Sequence, residues 1–129
     1  MAQASVLTDS DIRRVFRIIE TTRHADRNRL AFVLSIYAGM RIGEIAALRI
    51  GDVANVQHEA RREIKLSPDQ TKGSKGRTVV LSDRVRREIG LHLKTRVHCR
   101  DDAPLIASQR NGRSFSNVSL SMQIGRAHV

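Results

Sequence analysis

Residues 37–48 of this 129-residue chain read Tyr-Ala-Gly-Met-Arg-Ile-Gly-Glu-Ile-Ala-Ala-Leu, and they decide the fold. Apolar helical periodicity stops at Gly39, a residue type that commonly ends helices, and a second apolar helix begins after Arg41. Arg41 is therefore predicted at a junction between two helices. A guanidinium fixed at such a junction can bind two oxygens of one phosphate, and Glu44, one turn further on, can orient the guanidinium or the nearby backbone.

Two other interpretations of this stretch stay open from the residues alone. Arg41 and Glu44 could form an exposed i, i+3 ion pair on a helix surface. Residues 43–53 could instead form a helix-turn-helix reader, whose second helix enters the major groove of DNA. The segment after Ala47 is short for a recognition helix, and it soon becomes strand-like in character.

The pattern on either side of this junction predicts a mainly helical α+β domain. Helical periodicity covers residues 9–22, 26–38, 42–49 and 83–97, and strand-like runs cover residues 53–56, 62–66 and 77–81. The three runs predict a small, peripheral, three-stranded antiparallel sheet packed with the helices. Residues 101–116 are expected to form a loop, and the pattern from residue 117 is typical of a further helix. The expected core side chains include Val15, Ile19, Leu30, Val33, Leu34, Tyr37, Ile45, Leu48, Val85, Ile89, Leu93 and Val97.

Charge and composition indicate a polyanionic partner. The chain has 23 Lys and Arg against 13 Asp and Glu, a net charge of +10 that is spread along its length. Double-stranded nucleic acid is the first candidate, and a basic surface without a specific partner is the alternative. One Tyr, three Phe and no Trp offer few platforms for stacking unpaired bases. Cys99, as the only cysteine, rules out an internal disulfide, and no run is apolar enough to span a membrane, so a reducing cytoplasm is expected.

A second informative stretch follows the arginine junction. Residues 69–76 read Asp-Gln-Thr-Lys-Gly-Ser-Lys-Gly, a polar, glycine-bearing sequence typical of a hairpin connection between two strands. It carries Lys72 and Lys75 and leads into Arg77 at the start of the second strand. One interpretation is a solvated basic turn that touches phosphates without taking part in chemistry.

Together the two stretches resemble the tyrosine recombinases of the phage integrase family. Residues 37–48 resemble the first arginine box of that family, and Asp52 stands where an acidic residue commonly closes the box. Residues 71–81 resemble the β-hairpin that carries a lysine at its turn, although the family usually has Pro where Val80 stands. The two motifs occur in the family's order, about thirty residues apart.

The resemblance implies a DNA-cleaving site. In such a site Arg41 binds the scissile phosphate, and Lys72, rather than its neighbour Lys75, acts as general acid for the departing 5′-hydroxyl. Glu44 and Asp52 would support the site without reacting. Further DNA contacts are expected from Lys75, Arg77 and Arg49. The resemblance implies no metal ion, no ATP and no other cofactor.

The family's remaining catalytic groups are a His-x-x-Arg motif, a further His or Trp, and a tyrosine nucleophile that forms a 3′-phosphotyrosine. The strings His24…Arg27 and His58…Arg61 both precede the hairpin, whereas the family's motif follows it. Tyr37 is the only tyrosine of the sequence. It lies on the apolar face of the helix predicted over residues 26–38, which favours a core role over that of nucleophile. Residues 1–123 are therefore expected to be the amino-terminal and middle part of a catalytic domain. Residues 124–129 do not continue the family pattern and are expected to be a non-native tail.

The function implied for the full-length parent is site-specific DNA recombination or integration by strand cleavage and rejoining. Its expected partners are double-stranded DNA and further copies of itself on that DNA, with no membrane and no small-molecule substrate. A bacterial, phage or mobile-element origin is expected. The present chain is expected to bind DNA without cleaving it. The alternative is a non-catalytic DNA-binding module, either a helix-turn-helix regulator or a recombinase-like accessory protein.

Overall fold

The computed structural model describes residues 7–71 and 75–106 of the chain. Within them the fold is mainly helical with a small antiparallel sheet, as predicted. The elements in chain order are α1 (Asp9–Glu20), α2 (Ala25–Tyr37), α3 (Ile42–Ala46), α4 (Ile50–Val53), β1 (Glu63–Leu66), β2 (Arg77–Val80) and α5 (Asp83–Lys94). Helix α2 packs against α1, α3 and α5, and α4 packs against β1. The predicted helix from residue 117 and the expected tail at 124–129 lie outside the described residues.

Helix α1 begins at a reciprocal cap. The Thr8 hydroxyl accepts a hydrogen bond from the Asp11 N–H at 3.1 Å, and the Asp11 carboxylate accepts one from the Thr8 N–H at 3.2 Å. These bonds satisfy two of the amides that the start of a helix leaves without intrahelical partners. Val15 and Ile19, one turn apart, bury against Phe32 of α2. The predicted amphipathic helix is confirmed, with its end at Glu20.

Helix α2 is the centre of the domain. Its residues 30–34 are all buried, which means that the helix has no solvent-facing side over more than one turn. A helix that is apolar all round needs neighbours on every side, and α1, α3 and α5 supply them. Gly39 follows the helix with φ +66°, a left-handed conformation that glycine adopts without strain. The Met40 N–H then donates to the Leu34 carbonyl at 3.2 Å, and the predicted turn at Gly39 is confirmed.

The helix predicted over residues 42–49 is present as α3 but ends at Ala46, three residues early, and a separate short helix, α4, begins at Ile50. Arg49, between them, is extended and pairs with Pro104 in an isolated β-bridge. The Leu105 N–H donates to the Leu48 carbonyl at 2.9 Å, and the Ile50 N–H donates to the Ala103 carbonyl at 2.9 Å. The Leu48 carbonyl and the Ile50 N–H, which a continuous helix would pair within itself, are therefore hydrogen-bonded to residues 103–105.

The sheet within the described residues has two strands, and the predicted third strand at residues 53–56 is wrong. Strands β1 and β2 are antiparallel, with Ile64 opposite Val79. Val53 is instead the last residue of α4, and Ala54 makes only an isolated bridge with Ala60. The Asn55 side chain accepts hydrogen bonds from the amides of residues 57 and 59, which produces a tight turn. This turn uses the residues that a third strand would need.

Helix α5 and the segment after it close the core. Leu105 and Ile106 are buried, and the Leu105 carbonyl accepts a hydrogen bond from Arg96 Nη1 at 2.7 Å. The prediction that the helix continues to residue 97 with Val97 in the core is wrong. The helix ends at Lys94, and Val97 is 56% exposed, because the chain turns back after residue 94 to bring residues 101–106 over α3 and α4.

Candidate functional site

Arg41 is the N-cap residue of α3 and is exposed. Its backbone is held on both sides, since its N–H donates to Glu44 Oε1 at 2.9 Å and its carbonyl accepts from the Ile45 N–H at 3.0 Å. The start of a helix also presents the positive end of the backbone dipole. A fixed backbone with an exposed guanidinium is an arrangement that can bind an anion in a defined position.

Glu44 is buried, with only 2% of its side chain exposed. Its two carboxylate oxygens accept hydrogen bonds from Arg77, from Nε at 2.9 Å and from Nη2 at 2.6 Å. Burial acts to raise the pKa of Glu44, but the bonds from Arg77 and from the Arg41 N–H outweigh it and hold the pKa below its usual range. The interpretation of Arg41 and Glu44 as an exposed surface pair is therefore wrong, because the ionic partner of Glu44 is Arg77.

A second unit of the same design follows at once. Arg49 is the N-cap residue of α4 and is exposed, and its N–H donates to Asp52 Oδ2 at 2.8 Å. The same oxygen accepts a hydrogen bond from Gln70 Nε2 at 2.8 Å. Gln70 also donates to the Ala47 carbonyl at 3.1 Å, so it joins the end of α3 to the start of α4. In both units a carboxylate caps a short helix behind an arginine, and a side chain from the hairpin holds that carboxylate.

Residues on both sides of the connection between β1 and β2 bind to α3 and α4. Gln70 stands before residues 72–74 and Arg77 stands after them. The Thr71 hydroxyl lies 3.2 Å from the Pro68 carbonyl oxygen and 3.1 Å from that of Lys75, so it can donate to either. Lys72 lies outside the described residues, and its role as general acid stays a prediction.

The structure gathers five of the predicted site residues into two adjacent groups, one of which also contains Gln70. One group comprises Arg41, Glu44 and Arg77, and the other comprises Arg49, Asp52 and Gln70. Lys75 is exposed at the end of the hairpin connection. The DNA contacts predicted for Lys75, Arg77 and Arg49 stay predictions, and the structure gives the Arg77 guanidinium a partner within the protein.

Sequence reasoning missed Gln70. It is a polar side chain only 8% exposed in a segment interpreted as a solvated turn. Its carboxamide oxygen accepts from the Ser67 N–H at 3.0 Å while its nitrogen donates to two acceptors, so a buried amide has its main hydrogen-bonding groups satisfied. One signal in the sequence could have indicated that the hairpin binds both short helices. Gln70 and Arg77 stand on either side of its glycine-bearing turn.

Tyr37 is not a core residue, and that prediction is wrong. It is 37% exposed at the end of α2, and the Arg84 guanidinium covers its ring at 4.4 Å from the ring centre. The Tyr37 ring is therefore covered by a cation–π contact with Arg84 and not by apolar core side chains. His58, the start of one of the two His-x-x-Arg strings, has Nε2 2.9 Å from the Leu93 carbonyl oxygen at the end of α5. The ring thus contacts a helix end, on an element separate from the two arginine groups.

Residues 7–71 and 75–106 show neither a metal-binding cluster nor a membrane-spanning helix. No three His, Cys, Asp or Glu side chains among them come together as a group that could hold a metal ion. None of the five helices combines the length and the apolar character needed to cross a membrane.

An exposed arginine at a capped helix start is attached through a buried carboxylate to the β-hairpin, an arrangement expected for a catalytic domain of the tyrosine recombinase class. Residues 5–124 match the phage integrase family, and the chain belongs to that family. Its fold is similar to the crystal structure of XerA recombinase, with a TM-score of 0.72 and 22% sequence identity. That similarity covers 95% of this chain and 40% of the XerA chain, so this chain spans less than half of that recombinase. The curated proteins include no match to this sequence.

Proposed function

We propose that this chain is the amino-terminal and middle part of a recombinase catalytic domain whose full-length parent cuts and rejoins DNA at specific sites. The observation that carries the proposal is the Arg41 group. Arg41 is exposed, its backbone is capped by Glu44, and Glu44 is held by Arg77 from the hairpin. This supports a phosphate-binding arginine kept in a constant position relative to the hairpin strand.

The chemistry of the parent is a transesterification. A tyrosine hydroxyl loses its proton to solvent as its oxygen attacks the scissile phosphorus, the bond from phosphorus to the 5′ oxygen breaks, and a 3′-phosphotyrosine and a free 5′-hydroxyl result. Arg41 stabilises the extra negative charge on the phosphate oxygens in the transition state. Lys72 gives its ammonium proton to the departing 5′ oxygen. We propose that Glu44 and Asp52 hold the arginines in place and take no part in proton transfer.

Duplex DNA is the proposed substrate and partner. The net charge of +10 supports attraction to phosphates. The exposed residues Arg49 and Lys75 are close in sequence to the Arg41 group, since Arg49 lies three residues after α3 and Lys75 two residues before β2. In the parent, copies of the protein would associate on the DNA. We place the reaction in the cytoplasm of a bacterial host, on a phage or another mobile element.

A recombinase-like accessory protein that binds DNA without cutting it is the second candidate. Tyr37, the one tyrosine of this sequence, has its ring covered by Arg84, which favours a structural role for it. The helix-turn-helix variant of this candidate has less support. Helix α4 contains only four residues, and Ile50 and Val53 are buried, so residues 43–53 offer no helix that could lie in a groove.

The test uses the present chain with a nicked duplex that traps covalent intermediates. We expect binding whose association constant falls with salt, by a slope of about −0.9 in log–log terms for each phosphate contacted. We expect no covalent protein–DNA adduct, because the nucleophile is expected in the remainder of the parent. An adduct on denaturing gels would show that this chain contains its own nucleophile. Binding that is insensitive to salt would contradict the proposed phosphate contacts.

A further inference from the structure

Arg77 directs its side chain into the protein. Its Nε and Nη2 both donate to the Glu44 carboxylate, and Nη2 also lies 3.3 Å from the Gly39 carbonyl oxygen. The side chain is 40% exposed, yet its contacts are with α3 and with the turn that precedes it. A guanidinium fixed by this fork-like pairing has much of its donor capacity committed before any DNA arrives.

We propose that Arg77 is a positioning residue that acts on Arg41 through Glu44, and that it is not a primary DNA contact. The assignment rests on the proposed function. Glu44 Oε1 is the connecting atom, since it accepts one hydrogen bond from Arg77 Nη2 and another from the Arg41 N–H. The position of the Glu44 carboxylate therefore sets the position of the Arg41 backbone, and Arg77 sets the position of the carboxylate.

Loss of Arg77 would leave the Glu44 carboxylate buried with the Arg41 N–H as its remaining donor among these contacts. A buried carboxylate with so few donors tends to become protonated or to move toward water. Either change weakens the cap at Arg41. A displacement of about 1 Å in a catalytic group can lower a rate by about 100-fold.

The two roles for Arg77 predict different measurements. A DNA contact contributes to affinity, and its removal lowers the salt dependence of binding by about one phosphate. A positioning residue contributes to the cleavage rate, while binding through the other basic groups continues. Its effect also depends on Arg41, because it acts through that residue.

The experiment uses the full-length parent and measures single-turnover formation of the covalent adduct together with DNA affinity at two salt concentrations. The variants are Arg77→Gln, Glu44→Gln, Arg41→Lys and the double variants with Arg41→Lys. Arg62→Gln is the matched control, since Arg62 is an exposed arginine just before β1. Far-ultraviolet circular dichroism establishes that each variant is folded.

We expect Arg77→Gln to slow adduct formation by about 10- to 100-fold and to change affinity by less than about 3-fold. In the Arg41→Lys background the same change should slow the reaction by less than about 3-fold further. Arg62→Gln should behave as wild type. Glu44→Gln should reproduce the Arg77→Gln result, and it decides the matter if Arg77→Gln does not fold.

A loss of affinity with a shallower salt dependence would overturn the assignment in favour of a DNA contact. An equal loss of rate in both backgrounds would overturn it in favour of a general structural role. A wild-type parent that forms no adduct would instead refute the proposed function, and the assignment with it.

Discussion

Helices α2 and α5 are joined by a two-point ion pair, and its loss provides a direct test of the packing. Arg29 donates to Glu88 through Nε at 3.0 Å and through Nη2 at 2.9 Å. The Glu88 side chain is 16% exposed and the Arg29 side chain is 38% exposed. The Arg29 guanidinium also lies 4.6 Å from the centre of the Phe16 ring, so this one side chain connects α1, α2 and α5.

Glu88→Gln keeps the shape of the side chain and removes its charge. Hydrogen bonds to charged groups contribute about 1.5–3 kcal/mol, whereas fully exposed ion pairs contribute about 0–1 kcal/mol. Because one partner is mostly buried and the other is more than one third exposed, we expect a loss of about 1–2 kcal/mol in the free energy of unfolding at pH 7. With a urea m-value of about 1–3 kcal/mol/M, the unfolding midpoint should fall by about 0.3–2 M.

The loss should depend on pH in one direction. The hydrogen bond from Arg29 lowers the pKa of Glu88 in the folded protein, so the carboxylate stabilises the fold above its unfolded pKa. That stabilisation disappears as the pH falls through the lowered folded pKa. The difference between wild type and Glu88→Gln should therefore be full at pH 7 and should shrink once the pH falls below about 4.

The assay is urea unfolding followed by far-ultraviolet circular dichroism at pH 7 and at pH 3.5 or below, about a unit under the ordinary glutamate pKa. Glu59→Gln is the matched control, because Glu59 is exposed, and its effect should stay within about 0.5 kcal/mol. Equal losses of unfolding free energy for Glu88→Gln and Glu59→Gln would contradict the claim that the Arg29–Glu88 pair stabilises the fold. So would a loss for Glu88→Gln that is the same at both pH values.

Three further substitutions test the fold around the arginine groups, each by urea unfolding. Gly39→Ala should destabilise the protein by about 1 kcal/mol, because φ is +66° there and alanine is strained in that conformation. Gly90→Ala should stabilise it by about 0.5–1 kcal/mol, since Gly90 lies within α5 and an added Cβ would meet no atom within 4 Å. Ile45→Ala should cost about 2–5 kcal/mol, because Ile45 is completely buried in the core. A stabilising Gly39→Ala, a destabilising Gly90→Ala or a loss below about 1 kcal/mol for Ile45→Ala would each contradict the packing described.

The parts of the fold that depend on local pattern could be predicted from the sequence. Helices α1, α2 and α5 follow the spacing of their apolar residues, and Gly39 ends α2 where its residue type indicates. Strands β1 and β2 likewise occupy the predicted runs to within a residue. These features arise from contacts between residues a few positions apart, which periodicity records.

The parts that were wrong depend on distant partners. The break between α3 and α4 arises because Arg49 pairs with Pro104, which is far away in the sequence. Periodicity cannot register such a partner, so the predicted helix extended to residue 49, three residues beyond the end of α3. The Tyr37 prediction was wrong for a similar reason, since its ring contacts Arg84 of α5, a residue distant in the sequence, and does not lie in the core.

In the candidate site too, the contacts between nearby residues could be predicted, and the contacts between distant residues could not. The residue types and spacing indicated Arg41 and Glu44 as a unit, and the structure brings them together. The roles of Arg77 and Gln70 required the three-dimensional pairing of the hairpin with the two short helices. Hydrogen bonds between a turn and a distant helix cap leave no periodic signal in the sequence, and for this reason Gln70 was missed.

The most direct test of the central claim is the rate of covalent adduct formation by the full-length parent with Arg41→Lys. Lysine keeps the positive charge but loses the planar fork that binds two phosphate oxygens. For Arg41→Lys we expect DNA affinity within about 3-fold of wild type and adduct formation slower by about 100-fold or more. Arg23→Lys, an exposed arginine between α1 and α2, should leave both quantities unchanged. Adduct formation at the wild-type rate by Arg41→Lys would contradict the claim that Arg41 binds the scissile phosphate.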